Sequence, residues 1–153
     1  MESTYSTEDK LTALDLAIST YSAAGYTGVV DMAMDEATWE ILNTYRKDKG
    51  FPFHIAAHWL VPFSNDQHAN LAYVDRAIEL RQRTLGNPRF CILGIKLICD
   101  GVVDGCTAAL FQPYPGKSDA EDTIWPTEAL KDVVQRADAA ELQCAIHAIG
   151  DKT

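Results

Sequence analysis

Apolar residues recur along this chain with two alternating periods, and each change of period marks the boundary of an element. Ser6 and Asp9 have the spacing of a helix cap, and apolar residues then follow helical spacing until Gly25. A short β-branched stretch comes next, and the order of helix then strand repeats three more times. The pattern predicts helices that begin at Ser6, Asp35, Asp66 and Thr127, and strands over residues 27–32, 53–61, 90–99 and 143–148.

Strands that alternate with helices predict an α/β fold with about four parallel strands joined by right-handed crossovers. The chain opens on a helix and closes on a strand that no predicted helix covers, which indicates a piece of a larger barrel or sheet. The connection from Gly101 to Ile124 carries no clear periodicity. Loops of that length inside a domain are usually functional.

Composition excludes several classes of protein. The 153 residues include 13 Lys and Arg against 22 Asp and Glu, for a formal charge of −9, so a nucleic-acid partner is not expected. No apolar run is long enough to cross a membrane, and the N-terminal segment lacks the features of a signal peptide. The four cysteines form no C-x-x-C pair and lie mostly in apolar, strand-like runs, so we expect them to be reduced. We therefore expect a cytoplasmic protein without a membrane partner.

Lys96 stands in the middle of a predicted strand, where a buried ammonium would lose much of its hydration. Its side chain must extend to solvent, pair with a buried carboxylate such as Asp100, or be neutral or modified. Strict alternation predicts that one face of this strand packs against helices and that Lys96 lies on the other. The two predicted faces are Cys91, Leu93, Ile95, Leu97 and Cys99, and Ile92, Gly94, Lys96, Ile98 and Asp100.

His147 lies near the carboxyl end of the last predicted strand, the end at which α/β folds build active sites. A neutral imidazole there is either a metal ligand or an ordinary core residue. Asp151, four residues on, could orient the imidazole or cap a following helix.

The first two strands carry three further polar positions. His58 shares a face of its strand with His54; His58 is either a group of the pocket or an ordinary strand residue, and we expect His54 to lie in the core. Asp31 ends the first strand and either faces the pocket or caps a turn.

Several segments resemble amidohydrolase family 3, which includes enzymes similar to N-substituted formamide deformylase. GIKLICDG at residues 94–101, followed by DGCTAAL at 104–110, resembles the family's lysine strand and the loop after it. ADAA at 137–140 and IHAIGD at 146–151 resemble its next helix and its histidine strand, and GYTGVVD at 25–31 resembles an earlier strand.

The resemblance implies a metal-dependent hydrolase on a (β/α)₈ barrel, of which residues 1–153 would be the central part, incomplete at both ends. In such enzymes CO₂ carbamylates the strand lysine, so Lys96 and His147 are expected to bind one or two divalent ions, with zinc the expected metal. Asp100, Asp151, Thr107, His58 and Asp31 are the further candidates for the pocket or for groups behind the ligands.

The expected reaction is hydrolysis of an amide-type C–N bond, other than a peptide bond, in a small molecule by metal-activated hydroxide. The family's remaining ligands have no counterpart in this chain, so the chain alone is expected to be inactive. The alternative is a non-catalytic α/β remnant that associates with a partner, including another copy, through its open sheet edge.

Overall fold

The four predicted strands form one parallel sheet in a computed structural model, which describes residues 5–153. The strands lie side by side in chain order, and one helix precedes each strand in the sequence. The sheet comprises β1 (Gly28–Met34), β2 (His54–Leu60), β3 (Phe90–Ile98) and β4 (Gln143–His147), and the helices are α1 (Thr7–Ala23), α2 (Glu36–Asp48), α3 (Gln67–Thr84) and α4 (Thr127–Ala139). The α/β prediction is confirmed.

Local sequence signals set the helix starts. Ser6 and Asp9 form the predicted capping box, with the Asp9 N–H donating to Ser6 Oγ over 3.1 Å. Asp35 accepts from the Thr38 N–H over 2.8 Å, and Asp66 accepts from the His68 N–H over 3.0 Å. Each cap satisfies a backbone donor that has no partner inside the helix.

All four helices cover one face of the sheet, and the opposite face is open. A single buried cluster joins side chains from every helix to the strands, including Ile18, Trp39, Val74, Val133, Ile55 and Ile95. On the open face Val30 is 59% exposed and Met32 42%. A parallel sheet in chain order with helices on one face is the arrangement found in part of a (β/α)₈ barrel.

A bulge in β3 changes which of its side chains face the helices. Ala57 of β2 pairs with Ile92, whereas the next residue, His58, pairs with Gly94, so Leu93 is an extra residue. The buried cluster therefore contains Ile92 and, after the bulge, Ile95, Leu97 and Cys99. The predicted face was correct from Gly94 to Cys99 and wrong for Ile92 and Cys91, because strict alternation does not anticipate an inserted residue.

No helix in residues 5–153 has the length and hydropathy needed to cross a membrane. The first four residues of the N-terminal segment, which was predicted to lack a signal peptide, lie outside the described residues.

Gly94 allows β3 and β4 to approach closely. A Cβ at this position would lie 2.0 Å from the backbone oxygen of Gln143 and 2.7 Å from its carbonyl carbon. Backbone atoms of a paired strand cannot move aside without shifting the strand, so a side chain here is excluded.

We predict that Gly94→Ala destabilises the chain by about 2–3 kcal/mol, because β4 must move away from β3. Gly28→Ala in β1 is the matched control, since its Cβ would meet His54 at ordinary contact distances of 3.5 and 3.6 Å. Urea unfolding of both variants measures the difference. Equal midpoints for the two variants would contradict the close approach of β3 and β4.

Candidate functional site

Lys96 lies on the open face of the sheet, in the middle of β3. It pairs with Leu60 of β2 and Ala145 of β4, and its side chain is half-buried. Within residues 5–153 its ammonium makes no hydrogen bond or ion pair, and the suggested pairing with Asp100 does not occur. The side chain of Lys96 is therefore available to a further partner on this face.

His147 lies on the same open face, two residues closer to the carboxyl ends of the strands. It pairs with Ile98, two residues beyond Lys96 on the neighbouring strand. Its Nε2 is 2.8 Å from the carbonyl oxygen of Gly101. Because a carbonyl oxygen only accepts, Nε2 carries the proton in this contact, and the lone pair of the neutral ring is then on Nδ1. The imidazole is oriented by the backbone, with one nitrogen left to bind a ligand.

Asp100 is fully buried at the carboxyl end of β3. Its carboxylate accepts hydrogen bonds from two segments: the Ala109 N–H at 3.0 Å, and the Ile149 N–H at 3.0 Å, the Gly150 N–H at 2.7 Å and Thr153 Oγ1 at 2.9 Å. Burial raises the pKa of Asp100, but these hydrogen bonds outweigh burial and hold the pKa below its ordinary value. Oδ1 also lies 3.9 Å from His147 Nε2.

We call this set of contacts, from Asp100 to Ala109, Ile149, Gly150 and Thr153, the Asp100 latch. It ties the loop after β3 to the turn after β4, and two glycines make it possible. A Cβ on Gly150 would lie 1.8 Å from the Ala109 oxygen, and one on Gly101 would lie 2.0 Å from Thr107 Oγ1. The latch thereby fixes the Gly101 carbonyl against His147.

Thr107 and Asp151 contribute to this loop structure rather than contacting His147. Thr107 is exposed, and its Oγ1 accepts from the Val102 N–H over 3.0 Å. Asp151 Oδ1 accepts from the Phe111 N–H over 3.0 Å. The hydrogen bond that Asp151 makes within residues 5–153 is thus with the long loop and not with the imidazole.

Of the two pocket candidates on β1 and β2, His58 and Asp31, His58 lies on the Lys96 face. His58 pairs with Gly94, is 6% exposed, and its Nδ1 has no hydrogen-bond partner among the described residues. His54 is exposed and contacts the Pro88 oxygen, so its prediction as a core residue was wrong. Asp31 pairs with Ala57, on the side of the sheet opposite to Lys96, and accepts from the Ala33 N–H over 3.0 Å within β1.

Sequence reasoning missed the residues that orient His147 through backbone atoms. The Gly101 oxygen, the Ala109 N–H and the Thr153 hydroxyl have no side-chain pattern that would identify them. The available signal was the pair of glycines, Gly101 and Gly150, that follow the strands of Lys96 and His147.

In residues 5–153 no group of three or more His, Cys, Asp or Glu side chains is gathered to hold a metal ion.

We predict that Asp100→Asn lowers the free energy of unfolding by about 3 kcal/mol. The amide keeps the size of the side chain but turns one acceptor into an NH₂ group, which faces buried N–H donors. Urea unfolding measures the loss, and Asp104→Asn in the exposed part of the same loop is the control. A midpoint for Asp100→Asn equal to that of the control would show that the latch does not stabilise the fold.

Two solved structures share this fold. An uncharacterized metal-dependent hydrolase from Pyrococcus furiosus superposes with a TM-score of 0.71 at 22% identity, covering 99% of this chain and 30% of that chain. An uncharacterized metal-dependent hydrolase from Pyrococcus horikoshii OT3 gives a TM-score of 0.70 at 23% identity, covering 99% and 29%. This chain thus spans less than a third of the length of either structure.

A comparison with curated proteins gives no significant match. A sequence model of the amidohydrolase family matches residues 1–153, which is the whole chain. The match includes the lysine strand, the latch and the histidine strand. The chain therefore belongs to the amidohydrolase family.

Proposed function

We propose that this chain is part of a metal-dependent amidohydrolase that hydrolyses an amide-type C–N bond, other than a peptide bond, in a small molecule. The observation that carries the proposal is Lys96, half-buried and unpaired on the same face as His147. Family membership and the two metal-dependent hydrolases of the same fold support it.

Carbamylation resolves the state of Lys96. The neutral amine attacks CO₂ through its lone pair, a C–N bond forms, and a proton leaves to solvent. The ammonium is thereby replaced by a carboxylate, a good ligand for a divalent cation. No other described side chain neutralises Lys96, so this reaction accounts for a cationic residue on the open face without a partner.

His147 would bind the cation through Nδ1. Its Nε2–H donates to Gly101, which fixes the ring orientation and selects, for the neutral ring, the tautomer whose Nδ1 lone pair can bind a metal. Asp100 acts behind this contact as a positioning residue, because it holds the segments on either side of the imidazole. His58, whose buried Nδ1 has no partner, is our candidate for a further polar group of the pocket.

These donors fit a divalent cation in kind, and we propose one or two zinc ions. A bound cation would supply an ionised water near neutral pH and would polarise the substrate carbonyl. Lys96 and His147 can bind a cation, but two ligands are too few to complete a catalytic zinc site. We therefore propose that residues 1–153 correspond to the central part of a barrel of about eight strands, with the other ligands on other strands.

We predict that zinc binding by this chain depends on bicarbonate and on both donors. In ¹³C-bicarbonate buffer, NMR should show a carbamate signal that Lys96→Met removes, and zinc should shift the His147 imidazole. Lys96→Met and His147→Gln should each weaken zinc binding at least about tenfold, as loss of a ligand implies.

Lys131→Met and His68→Gln, both on exposed helix positions, are the matched controls and should bind zinc like the unchanged chain. The absence of a carbamate signal, together with equal zinc affinity in all variants, would overturn the assignment of Lys96 and His147.

We predict that the zinc-loaded chain alone does not hydrolyse an N-substituted formamide such as N-benzylformamide. Too few ligands are present to hold the cation and a bound water in a catalytic geometry. Release of formate is the measurement, with a chain-free zinc solution as the control. Turnover above that control would show that the described residues suffice.

A second function is favoured by the exposed apolar residues of the open face. Val30, Met32 and Ile98 are 59%, 42% and 38% exposed, and β1 and β4 are both edge strands. Such a surface suits a non-catalytic remnant that pairs with another chain, including a second copy. Analytical ultracentrifugation with metal analysis separates the two functions, since a stable oligomer without zinc uptake favours the remnant.

A further inference from the structure

A polar groove lies on the outer surface between α2 and the last turn of α3, and we call it the basic groove. It has a volume of about 490 Å³, which is within the range of pockets for small molecules. Because α2 and α3 end where β2 and β3 begin, the groove is at the opposite end of the sheet from His147. Its polar lining consists of Glu40, Asn43, Thr44, Arg46, Lys47 and Arg83.

The lining is cationic although the chain as a whole is acidic. Arg46, Lys47 and Arg83 are gathered in one groove, and Glu40 is the acid beside them. The formal charge of the chain is −9, so most of its surface repels an anion. The basic groove is therefore a local site of opposite sign, where an anion would be attracted.

Two of these cations have no carboxylate partner. Within residues 5–153 neither Arg46 nor Lys47 makes an ion pair, whereas the nearby Lys49 pairs with Asp15 over 2.8 Å. Neighbouring like charges repel each other, so a bound anion would stabilise this arrangement.

Arg83 is only partly compensated. It pairs with Glu79 on its own helix, but its side chain remains 58% exposed. An ion pair this exposed is weak, so Arg83 can also contact an anion in the basic groove.

Arg46 is already oriented by the fold. Its Nη2 donates to Asn43 Oδ1 over 3.0 Å, and its guanidinium carbon lies 5.6 Å from the centroid of the Phe90 ring. A guanidinium has five N–H donors, and the Asn43 contact uses one of them. A fixed planar guanidinium can bind two oxygens of one phosphate group at once, which an ammonium does not do.

Helix ends explain the presence of basic residues here but not their grouping. Cations in the last turns of α2 and α3 interact favourably with the helix dipoles. That interaction requires a cation near each helix end, and it does not require cations of two helices to line the same groove.

We propose that the basic groove binds a small phosphorylated molecule through its phosphate group, with Arg46 as the two-point donor and Lys47 and Arg83 as further cations. A phosphate suits the groove better than a carboxylate, because it brings up to two negative charges and three acceptor oxygens to cations from different directions. The site is separate from Lys96 and His147, and it does not depend on metal binding.

Calorimetric titration with inorganic pyrophosphate in metal-free buffer of low salt tests the proposal. We expect saturable binding at one site that weakens as salt is added. Lys47→Met should weaken binding about fivefold, as loss of an exposed charge pair implies. Arg46→Lys keeps the charge but loses the two-point contact, and it should weaken binding about tenfold.

Two further variants separate this site from general attraction to positive charge. Lys131→Met, an exposed lysine of α4 with the same change in charge, is the matched control and should bind pyrophosphate like the unchanged chain. Glu40→Gln removes the acid of the lining and should tighten binding about twofold.

Lys47 and Glu40 are exposed, so their replacement leaves the core intact, and urea unfolding checks that Arg46→Lys is folded. The proposal is overturned if pyrophosphate does not bind, if Lys131→Met weakens binding as much as Lys47→Met, or if Glu40→Gln does not tighten it.

Discussion

The buried carboxylate of Asp100 joins three parts of the chain that are far apart in sequence: the end of β3, the loop at Ala109 and the turn after β4. A carboxylate in this position is stable only because three backbone N–H groups and a hydroxyl replace its lost water. The same bonds satisfy donors in loops that no helix or strand could pair. This one group therefore ties the long loop directly to the histidine turn.

The two faces of the sheet have different roles. The helix-covered face carries the hydrophobic cluster, and the bulge at Leu93 is what brings Ile95 and Leu97 into it while Lys96 remains on the open face. Lys96 and His147 then lie on adjacent strands, two positions apart. Register therefore determines which chemical groups meet, and a shift of one residue would place the lysine in the core.

Local signals predicted most of the fold and less of the site. Helix starts at Ser6, Asp35 and Asp66 follow from contacts within four residues, and sequence reveals such contacts directly. The bulge in β3 depends on how β2 pairs with it, so alternation gave the wrong face for Cys91 and Ile92. Asp151 and Thr107 were recognised as polar residues near the site. Their partners, Phe111 and Val102, depend on a loop path that no short motif encodes.

The contrast between Lys96 and Asp100 shows where chemistry is to be expected in this chain. Asp100 is fully buried, but every contact it makes serves the fold, so its charge is already compensated. Lys96 is less buried, but nothing among the described residues compensates it. In residues 5–153 His58 likewise retains a buried nitrogen without a hydrogen-bond partner, on the same face as Lys96. Because folding alone leaves such groups unsatisfied, they are the positions at which a bound ion or molecule would add most to stability.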